Sequence, residues 1–210
     1  MGRTKQRPYK TSTMRLFVAL EIPATTRDAL ATLAERLAPT CRGARWSRPE
    51  GMHLTLKFIG ELATAQSARI REELRAVHGF PAIEIVFHNV GFFPNPRHPR
   101  VFWTGVESGP GLAQLAAQVE SRLQPLGIAR ETREFRPHLT LARFKSEDGL
   151  PALHAAIEKS GPFEFGRATY EEFHLIESTL RPQGAQYSTL ESFRFTGIAA
   201  AGAGADGARA

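Results

Sequence analysis

Cysteine is nearly absent from the 210-residue sequence, and that scarcity removes several chemistries at once. The single thiol, Cys41, can close no internal disulfide and has no partner for a CxxC redox or zinc pair. Long apolar runs are missing too: none approaches the roughly 20 residues that a membrane-spanning helix needs. The opening stretch, MGRTKQRPYKTSTM, lacks the apolar centre of a secretory signal, so a cytoplasmic protein with no membrane partner is expected. His88, His98 and His174 show neither HxH nor HExxH spacing, which gives a metal site no support.

Positive charge is present but unevenly spread. The net charge is +6, and Arg3, Lys5, Arg7 and Lys10 supply +4 of it, leaving +2 for the remaining chain. Residues 1–13 therefore read as a flexible basic arm, either a solubilising tail or a loose hold on phosphates. Residues 197–210, GIAAAGAGADGARA, are Ala/Gly-rich without periodicity and read as a disordered tail. Function is expected within residues 14–196. Hydrophobic residues make up 42% and charged residues 23%, a soluble globular composition long enough to bury a core as one domain or two small lobes.

Periodicity supplies the elements. RLFVALEI (15–22) has strand character, and after Pro23 the segment ATTRDALATLAERLA repeats Leu30, Leu33 and Leu37 at helical spacing. Further helices are expected at about 64–77, 111–123 and 151–158. AIEIVFHNVGFF and RVFWTGVE read as strands joined through the proline-rich FPNPRHP, and ATYEEFHLIES and QYSTLESFRF alternate like antiparallel strands near the end. The order strand, helix, strand, helix recurs in the second half. That recurrence points to a duplicated α+β unit of two lobes rather than a regularly alternating parallel fold.

The repeat is most explicit in four residues. His-Leu-Thr-Leu occurs at 53–56, in MHLTLKFIG, and again at 138–141, in PHLTLARF. With 7 His, 16 Thr and 20 Leu in the chain, roughly 0.005 such tetrapeptides are expected by chance. In an extended strand His53 and Thr55 share one face and Leu54 and Leu56 the other; His138 and Thr140 stand likewise against Leu139 and Leu141. Two such strips set opposite each other form a cleft with two imidazoles and two hydroxyls. One imidazole can take a proton from an attacking water while the other gives one to a leaving oxygen, and the threonine hydroxyls can donate to the oxyanion between them. The scheme describes in-line attack on a phosphodiester and uses no metal and no nucleophilic side chain.

HLTLKF and HLTLAR resemble the paired His-x-Thr-x signatures of the 2H phosphoesterase superfamily, in particular the bacterial and archaeal RNA 2′,3′-cyclic phosphodiesterases formerly named 2′-5′ RNA ligases. RLFVALEIP, RWSRPEGMHLTLKFIGEL, NVGFFPNPRHPRVFWTGV, RPHLTLAR and ESTLRPQGAQYSTLESF are similar to family segments in family order. The resemblance implies a bilobal α+β fold with pseudo-twofold symmetry, two antiparallel-rich sheets flanked by helices around a central cleft. It implies that His53 protonates the leaving O3′, that His138 activates water, and that Thr55 and Thr140 grip the phosphate. The implied product is a 2′-phosphate, the implied partners are RNA ends or nucleotides bearing 2′,3′-cyclic phosphate, and neither cofactor nor metal is implied. A monomer is expected. Two alternatives stay open: an RNA- or nucleotide-binding module with little turnover, and 2′-5′ ligation as the reverse reaction.

Flanking residues are less decided by sequence. The resemblance makes Arg143 a phosphate contact, yet it lies five past His138, where strict alternation aims it away unless the strand bulges or the side chain reaches round. Lys57, four past His53, shares the histidine face under that alternation and is a second candidate cation. Phe17 and Tyr187 either border the cleft to meet a base or fill the core. Arg42, Arg45, Arg48, Arg97, Arg100, Arg133 and Arg136 form either a basic rim for longer RNA or an ordinary surface, with Glu131 and Glu134 interleaved among the last.

Overall fold

The computed structural model describes residues 12–182 and 184–197; most of the expected basic arm and nearly all of the Ala/Gly-rich tail lie outside the described residues. Nine strands and four α-helices follow the order β1 (Thr13–Glu21), α1 (Ala24–Leu37), β2 (Ala44–Trp46), β3 (His53–Ala63), α2 (Ser67–Arg75), β4 (Ile83–Phe93), β5 (Val101–Ser108), α3 (Pro110–Leu123), β6 (His138–Phe144), α4 (Leu150–Glu158), β7 (Glu164–Tyr170), β8 (Glu172–Arg181) and β9 (Gly184–Arg194). They form two antiparallel sheets. The first has the order β3-β1-β8-β9 and the second β2-β6-β5-β4-β7.

The apolar pattern explains the helices. Leu30, Leu33 and Leu37 of α1 are buried, as are Leu112, Leu115, Val119 and Leu123 of α3, each set tracing one stripe. Pro23 and Pro110 open these two helices, where a proline's missing N–H breaks no intrahelical bond. The helices do not stay with the strands that precede them. α1 leaves β1 of the first sheet and packs on β7 of the second, while α3 leaves β5 of the second sheet and packs on β3 of the first. This exchange interleaves the two lobes and lets their inner faces share one continuous core, with Phe87, Phe102 and Phe173 fully buried in it. Among the described residues, no helix is long and apolar enough to cross a membrane.

Two departures from the sequence reading concern strands. ATYEEFHLIES reads as one strand, but the chain divides it at Glu171, placing β7 at the edge of the second sheet and β8 inside the first. The apolar phase shifts at this point, from Ala168 and Tyr170 to Phe173 and Leu175, and the Glu171 carbonyl accepts the Phe195 N–H at 2.7 Å. The three-residue β2 is too short for any periodicity to reveal, and it forms because Ala44, Arg45 and Trp46 pair with Phe144, Arg143 and Ala142 of β6.

Candidate active site

The two repeated tetrapeptides lie on β3 and β6, which touch where the two sheets meet. Leu54 and Leu56 are buried at 0% and 6% exposure and Leu139 and Leu141 at 0%, so the leucines face the core and the His/Thr pairs face outward from it. Both histidines are anchored alike. Nδ1 of His53 lies 3.2 Å from the Gly51 carbonyl oxygen, and Nδ1 of His138 lies 2.8 Å from that of Arg136. A carbonyl only accepts, so each Nδ1 carries the hydrogen and each Nε2 is left to take or give a proton.

Strict alternation fails three residues after each histidine, and it fails identically. On β3, Thr55 pairs with Ala19 of β1 and Lys57 with Val18, so Leu56 is the extra residue. On β6, Thr140 pairs with Trp103 of β5 and Ala142 with Phe102, so Leu141 is the extra residue. Such a bulge puts two successive side chains on one face and reverses the parity beyond it. Arg143 is thereby returned to the face of His138 and Thr140, where it is exposed. Lys57 is turned the other way, which corrects the expectation that it shares the histidine face. Its Nζ is 2.6 Å from Glu120 Oε1 of α3 and 2.6 Å from the Ala129 carbonyl oxygen, and the residue is 6% exposed.

Aromatic rings surround both imidazoles. Phe17 and Tyr187 meet the His53 ring edge-on, with centroids at 5.7 and 5.1 Å. Phe17 joins Ala19 and Ile176 in a small apolar cluster on the face of the first sheet opposite the main core, with Tyr187 packed against it. Phe17 is only 4% exposed, so this ring supports His53 more than it offers a free stacking face. In the other lobe Phe93 meets His138 edge-on at 5.1 Å and lies 5.0 Å from Trp103. Trp103 in turn lies over Gly91, where an added Cβ would come within 2.3 Å of the indole.

The charges differ between the lobes. Glu21 pairs directly across from His53, whereas Gly105 occupies the position opposite His138. Burial pushes the His53 imidazole below the ordinary histidine range; the Gly51 carbonyl and Glu21 oppose that effect, while Arg27 and His174 add to it. A recess of about 260 Å³ opens beside His53, with Glu21, Arg27, Glu50, Tyr187 and Thr189 in its wall. A larger hollow of about 410 Å³ beside His88 and Glu107 contains neither His-x-Thr pair, so size alone is a poor guide to the chemistry here.

The family model for the 2′-5′ RNA ligase superfamily matches residues 26–181. The chain belongs to this superfamily. A protein from Archaeoglobus fulgidus named RNA 2′,3′-cyclic phosphodiesterase is 36% identical over 86% of this chain and 99% of its own length. A protein of the same name from Aeropyrum pernix is 38% identical over 77% of this chain and 92% of its own. A solved structure from Thermus thermophilus matches with a TM-score of 0.73 and 30% identity, covering 88% of this chain and 99% of the other.

Sequence reasoning named neither Phe93, which meets His138, nor Phe58 and Glu21 of the first lobe. Phe58 is 61% exposed and lies 6.0 Å from Phe17, ring to ring. It stands five past His53 as Arg143 stands five past His138, so aligning the two motifs would have found it. Glu21 ends the first strand, and nothing short of the β1–β3 register could have placed it opposite His53.

Proposed function

We propose that the protein hydrolyses 2′,3′-cyclic phosphodiesters at RNA ends or on nucleotides, leaving a 2′-phosphate and a free 3′-hydroxyl. Water attacks phosphorus in line with O3′, passing its proton to His138 Nε2, and the P–O3′ bond breaks as His53 Nε2–H protonates O3′. The next turnover begins after the two rings exchange that proton balance with solvent. Thr55 and Thr140 donate to the non-bridging oxygens, and Arg143 sets its charge against the developing dianion. No metal and no cofactor enters these steps, and one chain contains every group they use.

The observation that carries this reading is the matched pair of anchored histidines, each with Nδ1 on a carbonyl two residues upstream and a threonine on its own face, from strands that meet between the lobes. A proton donor must be charged before it acts, and burial opposes that for His53. An arriving phosphodiester anion shifts the balance back toward imidazolium. Direct support comes from incubating the protein, in excess EDTA, with a defined RNA ending in 2′,3′-cyclic phosphate and identifying the product isomer. A 2′-phosphate is expected. A 3′-phosphate would reverse the donor and base assignments, and loss of turnover in chelator would remove the metal-free scheme.

A further inference from the structure

The recess beside His53 lies where α1 and β9 meet the one-turn 3₁₀ segment Pro49–Gly51 that leads into β3. That turn is closed by its own backbone: the Gly51 N–H donates to the Arg48 carbonyl at 2.9 Å and the Met52 N–H to that of Pro49 at 3.1 Å. It is covered as well, since a Cβ added at Gly51 would stand 3.0 Å from the Tyr187 ring. The Gly51 carbonyl is also the one that anchors His53 Nδ1. One rigid turn therefore sets the imidazole and, from the residue before Gly51, the Glu50 carboxylate in the recess wall.

The charged groups of that wall have different tasks. Glu21 accepts the Thr189 hydroxyl at 3.3 Å and stands across from His53. Arg27 gives an N–H to the Ile22 carbonyl at 2.9 Å. Glu50 has neither task and is exposed. The chemistry of the reaction says which part of the substrate comes here. In-line attack puts water and the leaving O3′ on opposite sides of phosphorus. With His138 on the water and His53 on O3′, the ribose, attached through O3′ and O2′, lies on the His53 side, and its base with it. A wall with two carboxylates and one guanidinium repels a further phosphate, whereas a base is uncharged and brings N–H donors. The 260 Å³ of the recess holds about nine groups of about 30 Å³ each, enough for a pyrimidine ring with its exocyclic atoms.

We propose that Glu50 selects the base of the terminal nucleotide by accepting a hydrogen bond from its exocyclic amino group, so that cytosine is preferred to uracil. This rests on the cyclic-phosphodiesterase reading and adds a specificity to it. The two pyrimidines share one shape and differ at C4, where cytosine carries an amino donor and uracil a carbonyl acceptor. A carboxylate has only acceptors, so it attracts the first and repels the second. Uracil N3–H is a donor too, but it sits between two carbonyl oxygens that turn a carboxylate away. Because Glu50 is tied through Gly51 to the anchor of His53, its reach into the recess is measured from the group that protonates O3′.

The test measures kcat/KM on cytidine and uridine 2′,3′-cyclic phosphates for the wild type, Glu50→Gln and Glu50→Lys. The wild type should favour cytidine about tenfold, toward the low end of what one side-chain contact to a base edge discriminates, because water reaches Glu50. Glutamine presents a donor and an acceptor from the same place, so the ratio should fall to within about twofold. Lysine presents donors only, and the ratio should invert in favour of uridine. A disturbance of His53 would lower both substrates alike, since their ribose and phosphate are the same, and would leave the ratio unmoved. A wild-type ratio near one, or a cytidine preference that persists in Glu50→Gln, would overturn the assignment and leave the phosphodiesterase reading in place. Calorimetric binding of cytidine and uridine 2′-phosphates separates the two readings. If the wild type turns over neither cyclic phosphate yet binds the cytidine compound more tightly, with the same dependence on Glu50, the phosphodiesterase reading fails and base selection stands; equal binding of the two would overturn base selection as well.

Discussion

Replacing Lys57 separates a structural cation from a catalytic one, because the bulge on β3 turns it into the core side of the first lobe. Its ammonium makes two contacts of 2.6 Å, to the Glu120 carboxylate and the Ala129 carbonyl. Removing one partner of a buried ion pair costs about 3–5 kcal/mol. Glu120 keeps the Glu131 N–H at 2.9 Å, and its side chain is 17% exposed, so water reaches the abandoned carboxylate. These features put Lys57→Ala near the lower bound, about 3 kcal/mol, or about 6–12 °C in Tm for a chain of this size. Lys57→Met keeps much of the buried stem and should recover about 1 kcal/mol of that loss. Adding Glu120→Gln to Lys57→Met removes the stranded charge and should recover more, since the penalty lies in the unpaired ion rather than in the loss of attraction. Urea unfolding followed by circular dichroism gives these differences, and kcat on a cyclic phosphate at 25 °C should stay within about threefold in all three variants. A Lys57→Ala protein with an unchanged Tm and a kcat reduced more than a hundredfold would refute the reasoning and return Lys57 to the substrate.

Other expectations follow from the same geometry. His53→Ala and His138→Ala should each lower kcat by about 10²–10⁴ with unfolding midpoints close to wild type, and the double variant should fall little further because the two act in one step; retained turnover in either would remove that histidine from the mechanism. Glu21→Gln removes a charge that favours the His53 imidazolium, so the His53 titration, already below the ordinary histidine range, should move lower still. With His53 as the acid, activity is present below its pKa and is lost as pH rises through it, so the alkaline limb of kcat/KM should shift to lower pH; NMR of the histidine ring protons checks the cause, and an upward shift would contradict it. Gly91→Ala sets a Cβ within 2.3 Å of the Trp103 ring, so it should cost about 1–3 kcal/mol in thermal unfolding and lower kcat through Phe93 and His138. A variant neutral in both readouts would show that the indole moves aside freely.

The helices and the His/Thr strips were legible because each rests on a local period. Leu30, Leu33 and Leu37 recur at helical spacing and are buried, and Leu54 and Leu139 face the core as alternation requires. What was not legible rests on contacts between distant segments. The division of ATYEEFHLIES at Glu171 depends on which sheet each half joins, and β2 exists only because Phe144, Arg143 and Ala142 are there to pair with it. The orientations of Lys57 and Arg143 failed strict alternation for one shared reason, the extra residue at Leu56 and at Leu141.

That the irregularity falls at the same offset in both strands bears on how a symmetric frame would perform the asymmetric reaction proposed for it. Each bulge returns the fifth residue after the histidine to the outward face, and the duplication thereby creates two equivalent positions. The sequence fills one with Phe58 and the other with Arg143. Across from the histidines the difference repeats: Glu21 faces His53, and Gly105, without a side chain, faces His138. A carboxylate beside an imidazole favours its charged form, which is the form a proton donor must hold before it acts. In-line hydrolysis needs one donor and one acceptor, and two identical half-sites would supply neither preference. In the proposed mechanism the division of labour comes from the flanks, and among the described residues the carboxylate paired directly across from a histidine stands opposite the one assigned as acid.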